Sequence, residues 1–127
     1  MIKNVLDASA ILAVLNGEPG EKKVIPILAE SAISSVNLSE VAAKLLETGM
    51  DEASALLAVS VLGIGEIVDF TEALAWEAAR LRPLTKQYGL SLGDRACLAL
   101  SIKLNVSAVT ADKEWAKLKL CKVVVIR

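Results

Sequence analysis

The chain has 127 residues, of which 54% are hydrophobic and only 3% aromatic, and its net charge is −1. This length suits a single domain, residues 1–127, with a core built from aliphatic side chains. A charge so close to neutral argues against a protein that coats nucleic acid. The absence of histidine argues against Cys–His catalysis and zinc binding.

The N-terminus does not resemble a signal peptide, because Asp7 interrupts its apolar segment and no small-residue cleavage site follows. The longest nearly apolar stretch, residues 53–62, is too short to span a bilayer. We therefore expect a cytoplasmic protein without a membrane anchor. Cys97 and Cys121 are far apart in sequence, and both are expected to be reduced, buried and structural.

Strand-like and helix-like segments alternate along the chain. Glycines and helix-capping residues separate them. The predicted strands are residues 2–6, 32–36, 64–70, 106–110 and 123–126. The predicted helices are residues 9–15, 19–29, 37–49 with Asn37 as the cap, 51–63, 71–89 with a kink at Pro83, 92–104 and 112–118.

Most predicted strands are apolar on both faces, as in VVVI at residues 123–126. This pattern predicts an α/β fold, a three-layer α/β/α sandwich with a central parallel sheet. Ligands bind such sheets beyond the carboxyl ends of the strands. Asp7 and Asp112 follow strands, and Glu40 and Asp94 lie in the first turns of helices that leave the sheet at that edge. All four acids are therefore expected at one rim.

Two of these acids also have a simple interpretation as helix caps. Asp is favoured at the N-cap position, which would account for both Asp7 and Asp112. Thr110 is either an ordinary β-branched strand residue or a hydroxyl that orients a ligand. The small side chains that follow Asp7 let a ligand approach the backbone, which favours a site there.

Glu40 and Asp94 fit the capping-box pattern, in which an acid bonds back to the residue three positions earlier. For Glu40 that residue is Asn37, and helical periodicity places Glu40 opposite the apolar face. These patterns alone predict a solvated cap. For Asp94 the partner is Ser91, but the helix it begins is apolar on nearly every face. A carboxylate there is expected to need another partner, because an unpaired buried charge is costly.

The four acids make a stronger case together than separately. Two carboxylates about 4 Å apart repel by roughly 4 kcal/mol at an effective dielectric constant near 20. Three or four at one rim must therefore take up protons or bind a cation. Oxygen ligands combined with water suit Mg²⁺ or Mn²⁺.

Four segments resemble the motifs of PIN-domain ribonucleases, and in particular those of the VapC-type toxins of prokaryotic toxin–antitoxin pairs. They follow the family's order and span almost the whole chain. The SLGDR and TADKxW blocks are the specific ones. The segments are VLDASA at residues 5–10, NLSEV at 37–41, LSLGDRACLAL at 90–100 and VTADKEW at 109–115.

The resemblance implies a reaction and a set of residues. One or two Mg²⁺ or Mn²⁺ ions activate water to hydrolyse RNA, leaving 5′-phosphate and 3′-hydroxyl ends, and no histidine is needed. Glu114 is a weaker candidate ligand. The implied catalytic and metal-binding residues are Asp7, Glu40, Asp94 and Asp112. The implied supporting hydroxyls are Ser9 and Thr110. The candidate RNA contacts are Arg95, Lys113, Lys44 and Lys117, although ordinary solvated surface is the favoured interpretation of any one of them taken alone.

The resemblance further implies a homodimer and a cognate antitoxin that covers the acidic site. The mean hydropathy of +0.54 is high for a monomer and agrees with an apolar partner surface. Residues 41–46 and 53–62 are the candidate segments for that contact.

Three alternatives fit part of the pattern. A phosphoacceptor receiver domain shares the length, the parallel sheet and an acidic Mg²⁺ pocket, but it requires paired acids after the first strand and a lysine after the last. A haloacid-dehalogenase-like phosphatase requires Asp-x-Asp, whereas Ser9 occupies the third position here. A PIN fold used only for binding is the third alternative.

Overall fold

A five-stranded sheet runs through the computed structural model, which describes all 127 residues. Every neighbouring pair of strands is parallel, in the order β3-β2-β1-β4-β5. The order reverses at β1, and parallel sheets bind ligands beyond the carboxyl ends of the strands at such a reversal, here the ends of β1 and β4. The strands are β1 (Asn4–Leu6), β2 (Ser31–Ser34), β3 (Glu66–Val68), β4 (Ser107–Thr110) and β5 (Val123–Val125).

Seven α-helices and three 3₁₀ helices connect the strands. A helix longer and more apolar than any of these would be needed to cross a membrane. The α-helices are α1 (Ala8–Asn16), α2 (Glu21–Val24), α3 (Ser35–Glu47), α4 (Glu52–Ser60), α5 (Glu72–Arg80), α6 (Arg82–Thr85) and α7 (Leu92–Leu104). The 3₁₀ helices are Ile25–Glu30, Lys86–Tyr88 and Lys113–Lys117.

Successive residues of the central strands contribute to two separate cores. In β1, Val5 belongs to the core formed with α5 and α7, and Leu6 belongs to the core formed with α1, α2, α3 and α4. β2 and β4 alternate in the same way, as side chains on a strand must. Helices therefore cover both faces, and the predicted α/β/α sandwich with a parallel sheet is confirmed.

The edge strands correct one expectation. β3 is mostly exposed and β5 is only half-buried. Val123 and Val124 pack against opposite cores and Ile126 is buried, so the run at residues 123–126 is covered on both faces, but less completely than its composition predicts. The interior strands β1, β2 and β4 are the ones that are largely buried. An edge strand has a neighbour on one side only, and that position depends on the strand order.

The start of α3 also differs from the prediction. Its N-cap is Ser34, whose hydroxyl accepts a hydrogen bond from the backbone of Val36 at 3.2 Å. Asn37 was expected at this position, but it lies within the first turn and its side chain is buried. The second strand accordingly ends two residues earlier than predicted.

Three other helices are shorter than predicted. The helix that begins after Thr71 ends at Arg80, and Pro83 lies in the first turn of the separate α6, because proline is tolerated there but breaks a helix interior. The segment predicted as residues 19–29 is α2 followed by a 3₁₀ helix, and the segment at 112–118 is the 3₁₀ helix Lys113–Lys117.

The helix at residues 92–104 is confirmed with its predicted bounds. Ser91 caps its N-terminus, and Asn105 ends it in the left-handed conformation, which asparagine adopts more readily than most residues. α7 packs along α5 and crosses the sheet, and its central residues Ala96 to Ser101 are all buried.

Leu98→Ala should destabilise the protein by about 2–5 kcal/mol, because its side chain is fully buried in this core and its removal leaves a cavity. Urea unfolding followed by circular dichroism measures the change. Leu92→Ala in the same helix is the matched control, since Leu92 is 51% exposed and should lose no more than about 0.5 kcal/mol. Equal losses would contradict this description of the core.

Candidate active site

Asp7 lies directly after β1, where the strand order reverses. Its backbone N–H donates to the carbonyl of Val109 at 2.9 Å, so the β1–β4 ladder holds it in place. Asp7 occupies the N-cap position of α1, yet its side chain makes no capping hydrogen bond. The residue is only 5% exposed. The cap interpretation therefore does not account for its carboxylate.

Two hydroxyl groups hold this carboxylate by the same oxygen. Ser9 Oγ donates to Asp7 Oδ2 at 2.7 Å, and Thr110 Oγ1 donates to it at 2.9 Å. Each hydroxyl in turn accepts a backbone N–H, from Ala111 at 2.9 Å and Asp112 at 3.1 Å respectively, which directs its hydrogen towards Asp7. Asp7 Oδ1 accepts no hydrogen bond and is not among the buried atoms without a partner, so this oxygen is accessible to solvent.

Burial raises the pKa of Asp7 from 3.8 to about 6. The hydroxyls of Ser9 and Thr110 lower it, whereas the negative charges of Asp94 and Glu40 raise it. The charges of Asp94 and Glu40 thus act on the Asp7 carboxylate through space, although burial is the larger cause of the raised pKa. The structure thus brings three of the four predicted acids to one place.

Glu40 reaches this place from α3. Asn37 Nδ2 donates to Glu40 Oε1 at 2.9 Å and to the carbonyl of Gly93 at 3.0 Å. A Cβ atom added to Gly93 would overlap the Glu40 carboxylate, so Glu40 lies directly against the first turn of α7. The pattern-based prediction of a solvated capping box at Glu40 is wrong, because its partner is a side chain that also bonds to another helix.

Asp94 forms the capping box with Ser91. The backbone N–H of Ser91 donates to Asp94 Oδ2 at 2.9 Å, and the backbone N–H of Asp94 donates to Ser91 Oγ at 3.2 Å. Asp94 is also partly exposed. The capping-box interpretation of Asp94 is therefore confirmed, and a second partner for its charge stays a prediction. Its second oxygen, Oδ1, accepts no hydrogen bond from the protein.

Asp112 lies at the rim of this group. It is exposed, and its Oδ1 accepts a hydrogen bond from the backbone of Glu114 at 2.9 Å. Its charge is not among those that raise the pKa of Asp7, although its N–H contacts Thr110. The weaker candidate Glu114 is exposed and forms an ion pair with Lys117 at 2.9 Å.

The predicted RNA contacts take different positions. Arg95 Nη1 donates to the carbonyl of Ala78 in α5 at 3.1 Å, and its Nε is buried without a partner. Lys44 is exposed and pairs loosely with Glu47 at 3.7 Å. Lys113 is exposed and forms no ion pair. Lys113 and Lys44 are thus available to an anion, whereas Arg95 is used within the fold.

The site can be tested for its fit to a divalent cation. No three His, Cys, Asp or Glu side chains are close enough to enclose a metal ion by themselves. Mg²⁺ does not require such an enclosure, because it usually retains several waters and binds one or two carboxylates together with substrate phosphate. The ion pairs of the structure include none of Asp7, Glu40 and Asp94. These oxygens therefore fit a hydrated divalent cation as their counter-charge.

Two residues that contribute to this geometry were not predicted from sequence. Asn37 was assigned only as a helix cap, and Gly93 only as part of a motif. The Asn37 amide is fully buried, and its Oδ1 has no hydrogen-bond partner, which costs about 1–3 kcal/mol. The Asn-x-x-Glu spacing is the one sequence signal for this pair, and it has the same form as a capping box.

Comparisons with known proteins agree with this geometry. A family model described as PIN domain matches residues 5–120. No curated protein sequence is significantly similar to the chain. Among solved structures, VapBC2 from Rickettsia felis bound to promoter DNA aligns with 19% identity and a TM-score of 0.77 over 100% of both chains.

Two further structures are similar. DNA-bound VapBC from Salmonella typhimurium aligns with 15% identity and a TM-score of 0.80 over 100% of both chains. VapC20 from Mycobacterium tuberculosis, a sarcin–ricin-loop-cleaving toxin, aligns with 17% identity and a TM-score of 0.75 over 95% of this chain and 98% of that one. At such identities the likeness establishes a common fold.

Asp7→Asn should stabilise the metal-free protein at neutral pH. The folded state raises the pKa of Asp7 from 3.8 to about 6, so the wild type loses stability as the pH rises through this interval. An amide cannot ionise, yet its oxygen still accepts both hydroxyls. The two-unit shift corresponds to about 3 kcal/mol. Urea unfolding in EDTA at about pH 4 and about pH 7.5 measures the difference.

Asp51→Asn provides a control of opposite sign. A hydrogen bond from the backbone of Ser54 lowers the pKa of the exposed Asp51, so its charge stabilises the fold above its unfolded pKa. This variant should lose stability at neutral pH relative to low pH. If Asp7→Asn changes stability equally at both pH values, the carboxylate is not held out of water as described.

Proposed function

We propose that this chain, which belongs to the PIN-domain family, is a divalent-metal-dependent endoribonuclease and the toxin of a toxin–antitoxin pair. Residues 1–127 would act as one catalytic domain. The observation that carries the proposal is the meeting of Asp7, Glu40 and Asp94 at the reversal of strand order without a cationic partner.

The solved structures support the toxin assignment. Complexes of VapBC type align with the chain over its full length, and VapC20 is a toxin that cleaves the sarcin–ricin loop. The receiver-like alternative gains no support, because the family match covers residues 5–120 as a PIN domain. A PIN fold used only for binding is the alternative that an activity assay must separate.

The residues of the site have distinct parts in this proposal. When bound, Mg²⁺ or Mn²⁺ supplies a Lewis acid that favours attack of water on a phosphodiester. Ser9 and Thr110 hold Asp7 by Oδ2, which would leave Oδ1 to bind the ion. Glu40 and Asp94 add negative charge at the same place. Asp112 at the rim is a further ligand candidate.

RNA has an approach route beside this site. A groove of about 740 Å³ extends from Ser9 past Lys44 to Arg127. These two cations can contact phosphates, although Glu18 and Glu47 also line the groove. Lys113, directly after Asp112, offers a free ammonium group at the rim. Arg95 is a poorer candidate, because its guanidinium already bonds to α5.

The purified protein should cleave RNA in the presence of Mn²⁺ or Mg²⁺, and EDTA should stop the reaction. Asp7→Asn and Asp94→Asn should each lower the rate by about 100-fold or more, because each removes a charged ligand. Gel analysis of end-labelled RNAs, one a hairpin with the sarcin–ricin loop and one unstructured, measures the rate. Far-UV circular dichroism should be unchanged.

Asp51→Asn is the matched control for Asp94→Asn. Both aspartates accept a backbone hydrogen bond at the start of a helix, but Asp51 does not act on Asp7. It should cleave at the wild-type rate. Wild-type activity in Asp94→Asn would limit that residue to capping. A wild type without metal-dependent cleavage would favour a binding role for the fold.

An exposed apolar surface supports the proposed protein partners. Leu46, Leu56, Leu57 and Ile67 from α3, α4 and β3 are each 46–65% exposed. Leu46, Leu56 and Ile67 line a groove of about 310 Å³ with mostly hydrophobic walls. Contiguous apolar surface of this kind marks interaction sites. We call it the α3–α4 patch, and it coincides with the segments predicted for the homodimer or antitoxin contact.

Leu56→Glu should convert a homodimer into a monomer, because it places a charge in the centre of the α3–α4 patch and burying that charge is costly. Light scattering after size-exclusion chromatography measures the mass. Leu84→Glu is the control, since Leu84 is 59% exposed on α6 and lies outside the patch. A dimer that persists in Leu56→Glu would exclude the α3–α4 patch as the homodimer contact.

A further inference from the structure

Asn37 joins two helices and one of the site's acids through a single amide group. It is the third residue of α3, and its Nδ2 donates both to Glu40 Oε1 and to the carbonyl of Gly93. Gly93 lies 56 positions away in sequence, in the first turn of α7. The amide therefore fixes the Glu40 carboxylate relative to the helix that carries Asp94.

Gly93 leaves the space that the Glu40 carboxylate occupies. A side chain there would overlap both oxygens and Cδ of Glu40. The residue has no positive φ that would call for glycine, so backbone conformation does not explain it. The close approach of Glu40 is the reason that this position needs a residue without a Cβ.

The orientation of the Asn37 amide is determined by its neighbours. Turning it by 180° would place Oδ1 against two acceptors, Glu40 Oε1 and the Gly93 carbonyl. In the observed orientation Oδ1 is buried without a partner. The side chain therefore holds Glu40 at the expense of an unsatisfied acceptor, so stability alone does not explain an asparagine here. A neutral amide also orients the carboxylate without neutralising it, and Oε2 accepts no hydrogen bond.

We propose that Asn37 and Gly93 are positioning residues that set the place of the Glu40 carboxylate for a divalent cation shared with Asp7 and Asp94. This inference rests on the proposed metal-dependent function. Hydrogen bonds that orient a carboxylate ligand typically change metal affinity by roughly 10–100-fold. Neither residue needs to touch the ion or the RNA.

The test compares Asn37→Leu, Gly93→Ala and Ser101→Ala with the wild type. Leucine has a side chain of similar volume and lacks both the Nδ2 donor and the unpaired Oδ1 acceptor of Asn37. Ser101 is a buried hydroxyl at the far end of α7 that donates to the Cys97 carbonyl, so its loss is a matched polar-to-apolar control. Mn²⁺ affinity is measured by electron paramagnetic resonance without RNA, and thermal stability is measured in EDTA.

Asn37→Leu should bind Mn²⁺ roughly 10–100-fold more weakly than the wild type, with an unchanged or higher Tm in EDTA. Gly93→Ala should weaken binding in the same direction, and Asn37→Leu carries the test if Gly93→Ala does not fold. Ser101→Ala should bind Mn²⁺ normally. In a Glu40→Gln background, Asn37→Leu should have no further effect, because Asn37 acts through Glu40.

Wild-type Mn²⁺ affinity in Asn37→Leu would overturn the inference, and so would a lower Tm with no more loss of affinity than Ser101→Ala shows. If the wild type cleaves RNA with Mn²⁺ while Asn37→Leu has the same Mn²⁺ dependence, the positioning role fails and the proposed function stands. A wild type that neither binds Mn²⁺ nor cleaves RNA would overturn both.

Discussion

The site depends on one carboxylate that is held out of water at the centre of the sheet. β1 has a parallel neighbour on each side, and its residues are buried on both faces. Asp7 follows β1 directly and lies where the order of the strands reverses. The polar groups that reach it are the hydroxyls of Ser9 and Thr110. The hydrogen bonds from these hydroxyls lower the pKa of Asp7 by less than burial raises it, so the pKa is about 6. Either a proton or a cation at Asp7 Oδ1 would offset this penalty.

The other acids reach the same edge because all five strands are parallel. In a parallel sheet each crossover helix starts at the carboxyl edge of the strands and returns towards the amino edge. α3 follows β2 and α7 precedes β4, so both helices begin at this edge. Their N-termini carry partial positive charge, which relieves repulsion between acids by typically under about 1 kcal/mol each. The helix N-termini thus reduce the repulsion between the acids without neutralising their charge.

The parts of the fold that are determined by local pattern could be predicted from the sequence, and those determined by distant contacts could not. α7 has a serine cap and an apolar composition, and its predicted bounds are those observed. Ser34 and Asn37 are both good N-cap residues, and sequence gives no reason to prefer the first. Asn37 instead donates a hydrogen bond to the distant Gly93, and Ser34 is the N-cap. The exposure of β3 and β5 likewise follows from strand order, which hydropathy does not encode.

The same distinction explains why caps and site residues were hard to separate by pattern. The acids share one feature: each has one carboxylate oxygen held by the protein and the other without a hydrogen bond. The held atoms are Asp7 Oδ2, Glu40 Oε1, Asp94 Oδ2 and Asp112 Oδ1. At Asp94 and Asp112 the held oxygen is part of a helix cap, so a cap does not exclude a ligand at the other oxygen. A carboxylate fixed in this way loses little further conformational freedom when a cation binds. For Asp94, the capping box therefore fixes the orientation of the side chain.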